Sequence, residues 1–428
     1  MTGPSIEDTG TRRELLVLGA GTAGTMVVNR LRRRLDPAAW RIRVVDRDDA
    51  HLYQPGLLRL AFGEAEPEDL VRSRRAQIGR GVEVVTGEVD LIQPEAHEVV
   101  LVDGRRLPYD QLVIATGTTP RPDETPGMSG PLWQRQVFDF YTLDGARALR
   151  DALTRFDHGR LVVHVAETPI KCPVAPLEFA FLADSWLREN GFRDRVELVF
   201  VTPLSGAFTK PVASQLLGDM LDERKIALES DFMVERIDED PASLVSYDGR
   251  EIPFDLLVTV PVNMGADFLA RSGLGDELNY VPVDPHTFQA RSHPDVFAIG
   301  DANDIPTSKA GSVAHFSVDV FCENFLEHIA GRPMTHSFDG HANCFIESGD
   351  GKALLIDFNY EVEPLPGRFP LAWLGPMSLL RETRLNHLGK LAFSWVYWNA
   401  LLPGRPLPLP ADLSMAGKHT PATTEKER

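Results

Sequence analysis

The chain has 428 residues, which is longer than one ordinary domain and suits two or three. Its 43% hydrophobic and 25% charged residues exclude a disordered or fibrous protein, and its net charge of −18 argues against general nucleic-acid binding. Three cysteines are too few for a secreted disulfide framework, and neither a signal-peptide core nor an 18-residue apolar run is found, so we expect a cytoplasmic protein.

A dinucleotide-binding fingerprint lies near the start of the sequence. An apolar strand over residues 14–18 runs into a glycine turn, a helix follows, and a second strand ends at Asp46. In such a turn Gly19 permits the tight bend, Gly21 lets the backbone approach a pyrophosphate, and Gly24 allows the helix to pack on the strand. Asp46 follows at the spacing of an acid that accepts hydrogen bonds from a ribose hydroxyl. Together these features predict a dinucleotide site.

Two later strand ends indicate which dinucleotide is bound. One apolar strand ends in Thr116 and Gly117, and another ends in Gly300 and Asp301. In this order they resemble the second and third signatures of flavoproteins that have two dinucleotide-binding domains. The resemblance implies that the cofactor is FAD and that Asp301 contacts its ribityl chain.

Residues 160–201 repeat the order of strand, helix and strand, as expected for a duplicated domain. The first turn of this repeat, residues 166–176, contains three prolines and no glycine. Side chains would obstruct a pyrophosphate there, each proline removes a donor N–H group, and Glu167 would repel phosphate. We therefore infer that the second unit has lost an NAD(P)H site and that electrons enter by another route.

The three cysteines divide into two classes. Cys322 lies on a helix with apolar periodicity, which is typical of a core residue. Cys172 precedes a predicted helix N-terminus, a position that favours the reactive thiolate, and Cys344 follows a polar loop. Glu167 and His341 are the candidate bases near this pair. No Cys/His spacing predicts a metal site.

Four segments resemble the sulfide:quinone oxidoreductase family, and the resemblance covers nearly the whole chain: residues 53–56 (Tyr-Gln-Pro-Gly), 171–176 (Lys-Cys-Pro-Val-Ala-Pro), 307–309 (Thr-Ser-Lys) and 340–345. It implies that Cys172 and Cys344 form a disulfide or polysulfide bridge attacked by sulfide, with electrons passing through FAD to a quinone. It also implies that Lys309 lies near the pyrimidine edge of the flavin. Because no cysteine precedes Cys172, we expect non-covalent FAD.

Residues 365–405 differ in composition from the rest of the chain, because they carry five cations and one acid together with Trp373, Trp395 and Trp398. An amphipathic helix is predicted over residues 388–402. Its basic and aromatic residues are typical of a helix at a membrane interface, and a C-terminal helix packed on the core is the alternative. The family resemblance implies a membrane-facing foot here and a quinone site that includes Phe345, Lys390 and Phe393.

The predicted fold class is therefore α/β, with two Rossmann-like dinucleotide-binding domains and a C-terminal membrane-associating helical region. The FAD-binding domain is expected to be discontinuous, over residues 12–130 and 266–340, around a second Rossmann-like domain at 131–265. The C-terminal region is expected at 341–410 and a disordered tail at 411–428.

The leading hypothesis is a peripheral-membrane sulfide:quinone oxidoreductase at the cytoplasmic face, with sulfide, membrane quinone and lipid as partners, no nucleic acid, and self-association left open. Three alternatives stay open. A flavocytochrome c sulfide dehydrogenase shares the fold and two cysteines but works outside the cytoplasm. A type II NADH dehydrogenase shares the fold and foot but needs the missing glycine turn. A non-enzymatic flavoprotein that senses sulfide or persulfide would signal to a partner instead of turning over.

Overall fold

The computed structural model of the chain describes residues 12–370, 375–407 and 409–419. Its helices are α1 Thr22–Arg32, α2 Leu57–Ala61, α3 Pro67–Leu70, α4 Arg74–Gln77, α5 Leu143–Leu153, α6 Ala175–Glu189, α7 Pro211–Glu223, α8 Asp267–Arg271, α9 Gly311–Ile329 and α10 Arg384–Val396, the last continued by a π-helical turn at Tyr397–Leu401. Among the described residues, no helix is long and apolar enough to cross a membrane.

The strands of the first half are β1 Arg13–Leu18, β2 Trp40–Asp46, β3 Ala50–Leu52, β4 Val71–Ser73, β5 Val82–Thr86, β6 Val89–Gln93, β7 Glu98–Leu101, β8 Arg106–Pro108, β9 Gln111–Ile114, β10 Thr119–Arg121, β11 Val137–Phe138, β12 Gly159–Val165 and β13 Val196–Val201. Those of the second half are β14 Ala227–Glu229, β15 Val234–Glu239, β16 Ala242–Ser246, β17 Glu251–Pro253, β18 Leu256–Val260, β19 Val262–Met264, β20 Val296–Ala298, β21 Ala342–Gly349, β22 Lys352–Phe358, β23 Gly367–Phe369 and β24 Met377–Leu379.

Two parallel five-stranded sheets form the frame. The first has the order β20-β9-β1-β2-β5, so it combines strands that precede and follow the second sheet along the chain. The second has the order β11-β18-β12-β13-β14 and is built from the middle of the chain. The central strands are fully buried apolar runs, as parallel strands covered on both faces require. These sheets confirm the predicted fold class.

The C-terminal region packs against both sheets. The antiparallel pair β21–β22 lies between α6, which belongs to the second sheet, and α10. Asn29 of α1 donates a hydrogen bond to the Leu402 carbonyl at 2.7 Å, which ties the end of this region to the first sheet. The strand that carries Cys344 therefore sits where the two units meet the C-terminal helix.

Residues 411–419 make specific contacts, although the sequence predicts a disordered tail over 411–428; residues 420–428 lie outside the described residues. Lys418 pairs with Asp357 of β22 at 2.6 Å, and both side chains are almost fully buried. The Arg368 N–H donates to the Gly417 carbonyl, and the His419 N–H donates to the Pro366 carbonyl, both at 2.9 Å. Residues 411–419 are thus held by a buried ion pair and by the backbone of the β23 segment, a contact distant in sequence that composition does not reveal.

Candidate active site

The glycine turn between β1 and α1 has the geometry that its sequence predicts. Gly19 has a φ of +91°, and a Cβ there would lie 2.5 Å from the Ala115 carbonyl oxygen. A Cβ on Gly24 would collide with the backbone of Gly19, whereas one on Gly21 would meet nothing within 4 Å. The first turn of α1 has neither a side-chain cap nor an acidic residue. Open backbone at an uncapped helix N-terminus fits a pyrophosphate.

Asp46 braces this turn from the end of β2. Its Oδ2 accepts a hydrogen bond from the Ala20 N–H at 2.7 Å and pairs with Arg74 at 2.9 Å, while its Oδ1 accepts from the Arg47 N–H at 2.8 Å. Each carboxylate oxygen has more than one lone pair, so these bonds leave acceptor capacity. The ribose contact expected of Asp46 stays a prediction.

The other two predicted FAD segments end at the same edge of the first sheet. The strands β9 and β20 pair in parallel and lead to Gly117 and Gly300, whose φ angles are +67° and +69°. The Oγ1 atom of Thr116 is buried and finds no hydrogen-bond partner within the described chain. Burial raises the pKa of Asp301, opposed by the charges of Lys309 and Lys171. A half-buried acid and an unsatisfied hydroxyl beside an open glycine turn fit a bound dinucleotide such as FAD.

Lys309 joins the FAD segments to the cysteine turn. Its ammonium donates to the carbonyl oxygens of Asn303 at 2.6 Å and Asp301 at 3.2 Å and lies 4.0 Å from the Tyr280 ring centroid. Burial lowers the pKa of Lys309 to about 8, although acidic neighbours oppose the shift. Its own carbonyl accepts the Cys172 N–H at 2.7 Å. The Lys309 ammonium would therefore keep these protein contacts while it served the predicted role beside the flavin.

Cys172 is held in a conformation that few residues adopt. Its φ is +49°, in the left-handed region, which costs about 1–3 kcal/mol for a non-glycine residue. Two further bonds fix its carbonyl, one from the Ala175 N–H at 2.9 Å and one from the Tyr141 hydroxyl at 3.1 Å. The glycine-free turn is thus built to present one cysteine in a fixed position.

The expectation of a thiolate at Cys172 is wrong for the state the structure describes. All three cysteines are free thiols. Burial raises the pKa of Cys172 far above that of an ordinary thiol, and the charges of Glu178 and Cys344 raise it further. Burial likewise raises the pKa of Cys344 to about 12, again with help from Glu178. Loss of solvation outweighs the nearby helix N-terminus, so both side chains are held as neutral thiols.

Glu178 is the site residue that sequence reasoning missed. It is 2% exposed on α6, and its Oε1 accepts the Glu347 N–H at 2.7 Å and forms an ion pair with Lys390 of α10. Burial raises the pKa of Glu178, and Lys390 opposes that shift. Both Cys172 and Cys344 have Glu178 and Lys390 as charged neighbours, so the pair brings the two thiols into one electrostatic environment. The sequence signal that could have revealed Glu178 is its position as a single acid within the apolar first half of α6.

The three predicted quinone residues lie around α10. Gly389 of α10 packs on the Phe345 ring, since a Cβ there would lie 3.1 Å from its Cζ. Lys390, the next residue, is paired with Glu178, and Phe393 is partly buried against the core. Phe345 of β21 thus packs against α10, the helix that carries Lys390. The Lys390 side chain points toward the thiols.

The two candidate bases differ in their surroundings. Glu167 is exposed. His341 is buried, with Nε2 at 2.8 Å from Asp357 and Nδ1 at 3.1 Å from the Ala411 carbonyl oxygen, and its ring stacks on Phe316 at 4.0 Å. His341 thus links β22 to the tail, through the Asp357 carboxylate on one ring nitrogen and the Ala411 carbonyl on the other.

The aromatic residues of the predicted membrane helix have two different environments. Trp398 and Tyr397 are buried, and the Tyr397 hydroxyl lies 2.8 Å from Thr22 Oγ1 and 2.7 Å from His51 Nε2. Trp395 is 67% exposed, on the side of α10 that also exposes Leu388. Trp373 lies outside the described residues. The exposure of Trp395 suits the predicted interfacial role, whereas Tyr397 and Trp398 pack against Tyr53, His51 of β3 and Arg72 of β4.

Comparison with known proteins agrees with this geometry. The mitochondrial sulfide:quinone oxidoreductases of Mus musculus and Dictyostelium discoideum are 25% and 27% identical to the chain, cover 91% and 92% of it, and are each matched over 86% of their own length. The solved sulfide:quinone oxidoreductase of Aquifex aeolicus superposes with a TM-score of 0.77 at 20% identity, over 92% of each chain. The family model "Pyridine nucleotide-disulphide oxidoreductase" matches residues 13–317, and the chain therefore belongs to that family.

Proposed function

We propose that the chain is an FAD-dependent sulfide:quinone oxidoreductase. The observation that carries the proposal is the pair of thiols, half-buried Cys172 and buried Cys344, which share Glu178 and Lys390 as charged neighbours. The Cys172 N–H donates to the Lys309 carbonyl, which ties this pair to the dinucleotide-binding edge. The second unit has no glycine turn that could bind a nicotinamide donor. Its first loop is instead tied to Lys309 through the Cys172 N–H. The similar mitochondrial proteins are sulfide:quinone oxidoreductases, and sulfide oxidation is chemistry that such a thiol pair can perform.

FAD is the cofactor, as it is in this family. The residues that would hold it are those at the carboxyl edge of the first sheet, namely Gly19, Gly21, Gly24, Asp46, Thr116, Gly117, Gly300, Asp301 and Lys309. When bound there, FAD supplies a two-electron acceptor between the thiol pair and the quinone.

The thiol pair would act from its oxidised state. Hydrosulfide attacks one sulfur of a Cys172–Cys344 disulfide, the bond between the two cysteines breaks, and a sulfur–sulfur bond to the incoming atom forms. One cysteine then carries a persulfide and the other is released as a thiolate, so charge and atoms balance. Lys390 stabilises that thiolate, because its charge lowers the pKa of both thiols.

The second substrate would arrive from a membrane on which α10 lies. Leu385, Leu388 and Trp395 are 44%, 57% and 67% exposed, and they follow one another at helical spacing. Such an apolar stripe with an aromatic residue inserts into the interface of a bilayer. Phe345, Lys390 and Phe393 would contact the quinone head group beneath it, at the cytoplasmic face.

The activity is tested directly with purified protein, sulfide and a soluble short-chain quinone. We expect sulfide-dependent quinone reduction, no reduction when NADH replaces sulfide, and no reduction when cytochrome c replaces the quinone. Turnover with NADH would establish the dehydrogenase alternative. Turnover with cytochrome c alone would establish the flavocytochrome alternative, and flavin reduction without quinone-dependent reoxidation would indicate a sensor.

A further inference from the structure

The proposed reaction requires protons from outside the site. Hydrosulfide gives up two electrons and one proton when it becomes sulfane sulfur, whereas a quinone takes up two electrons and two protons to become a quinol. One proton per turnover must therefore come from the medium. Cys344 and the Glu178 carboxylate are buried, so side chains have to provide a route for that proton from the medium.

Glu347 lies on the quinone-facing side of the cysteine strand. Successive side chains of β21 point to opposite faces, so Phe345 and Glu347 share the face opposite to Cys344. Helix α10 contacts this face, with Gly389 against Phe345 and His387 against Glu347. His387 Nδ1 lies 2.9 Å and 3.0 Å from the two Glu347 carboxylate oxygens.

The same two residues adjoin the buried pair beside the thiols. The Glu347 N–H donates to Glu178 Oε1 at 2.7 Å, and Lys390 lies three residues after His387, on the same face of α10. The exposed fraction of the side chains rises along this series, from 2% at Glu178 and 8% at Glu347 to 18% at Lys390 and 26% at His387. The series therefore leads from the buried site to the surface of the foot helix.

We propose that Glu347 and His387 form the proton route to the quinone site, with His387 as its entrance. This inference rests on the proposed function and assigns two residues that sequence reasoning did not single out. His387 exchanges protons with the medium, and Glu347 passes them to the quinone site proposed next to Phe345. An imidazole that is one-quarter exposed and bonded to a buried carboxylate suits such a transfer.

Few other charges act on this pair. Glu178 from α6 and Lys390 from α10 face Glu347 and largely neutralise each other. Arg224, which follows α7, contacts the carbonyl of the adjacent Ser348 but pairs with Glu382 at 2.7 Å. Within the described chain, Glu347 is thus the acid that pairs with His387.

The test separates the two halves of the reaction. The holoenzyme is reduced with dithionite, mixed anaerobically with a short-chain quinone, and followed by flavin absorbance and by a pH-indicator dye. For His387→Gln and Glu347→Gln we expect reoxidation to slow by about 100-fold and to gain a solvent deuterium isotope effect, with proton uptake equally delayed. His387→Ala should recover its rate on addition of imidazole. Reduction by sulfide should keep its wild-type rate in all three variants.

His293→Gln is the matched control. His293 is also 26% exposed and faces an acid, Glu95, at 3.7 Å, but it lies in the loop before β20, away from α10. Wild-type reoxidation in both Glu347→Gln and His387→Gln would overturn the proposal. Slow reoxidation without an isotope effect or imidazole rescue would overturn it as well, because a merely structural role gives that result. Failure of sulfide to reduce the wild-type flavin would instead overturn the proposed function, and the dithionite experiment would still test the route.

Discussion

Glu178 and Lys390 form a buried ion pair that joins α6 of the second sheet to the C-terminal helix α10, beside both Cys172 and Cys344. Three parts of the chain far apart in sequence meet at this pair. It fixes the position of α10 relative to the thiols, and it leaves no net charge next to them. The pair is therefore both a structural joint and the electrostatic setting of the thiol chemistry.

Removing the cation should destabilise the protein. In Lys390→Met the Glu178 carboxyl stays buried without its partner, and breaking a buried pair costs about 3–5 kcal/mol of the free energy of unfolding. The pKa of Glu178, already raised by burial, should rise further. Urea denaturation measures the loss.

The double variant Glu178→Leu, Lys390→Met is the control for that prediction. Because it removes both charges, most of the lost stability should return. The same stability in single and double variants would contradict the ion pair as a buried joint.

Tyr397 should contribute to FAD retention. Its hydroxyl bridges Thr22, at the start of the helix that follows the glycine turn, and the buried His51. Tyr397→Phe leaves both partners without this bond and should cost about 1–3 kcal/mol. We expect a lower thermal midpoint and faster release of FAD, measured by flavin fluorescence. Tyr247→Phe, at a side chain that is 73% exposed, should change neither quantity.

The same cluster should make stability depend on pH. Burial and the charge of Arg74 lower the pKa of His51 from 6.5 to about 4. The unfolded chain therefore binds a proton at His51 near pH 6.5, whereas the folded chain binds it only near pH 4. The contribution of this group to the free energy of unfolding is complete above pH 6.5 and is lost as the pH falls toward 4. Thermal midpoints between pH 7 and pH 4 should fall less steeply in His51→Gln than in the wild type. A variant of the exposed His158 should keep the wild-type slope.

Local sequence patterns could predict the fold, the dinucleotide-binding turn and the turn that carries Cys172. The glycine positions follow from backbone conformation alone, so Gly19 and Gly24 were recognisable without any tertiary information. The missing glycine turn was equally local, and it directed attention to Cys172. Cys322 is buried on α9 in the apolar core, as its apolar periodicity predicts, whereas the redox role of Cys172 and Cys344 stays a prediction.

The remaining features depend on contacts distant in sequence. Glu178 meets Lys390 across more than two hundred residues, and Lys418 enters a buried site behind Cys344, so neither partner is visible from its own neighbourhood. The prediction of a thiolate at Cys172 was wrong because the helix N-terminus is a local signal, whereas the burial that raises the pKa of the thiol is a property of the fold. The interfacial role of the C-terminal helix stays a prediction, and contacts with His51, Tyr53 and Arg72, all distant in sequence, bury Tyr397 and Trp398.

The central claim is that Cys172 and Cys344 pass electrons from sulfide to FAD, and anaerobic sulfide titration of the oxidised holoenzyme tests it most directly. Flavin absorbance near 450 nm is the readout. We predict bleaching in the wild type and in Cys322→Ser, whose cysteine lies in the core, and none in Cys172→Ser or Cys344→Ser. Full bleaching in either of the last two variants, or none in the wild type, would contradict the account.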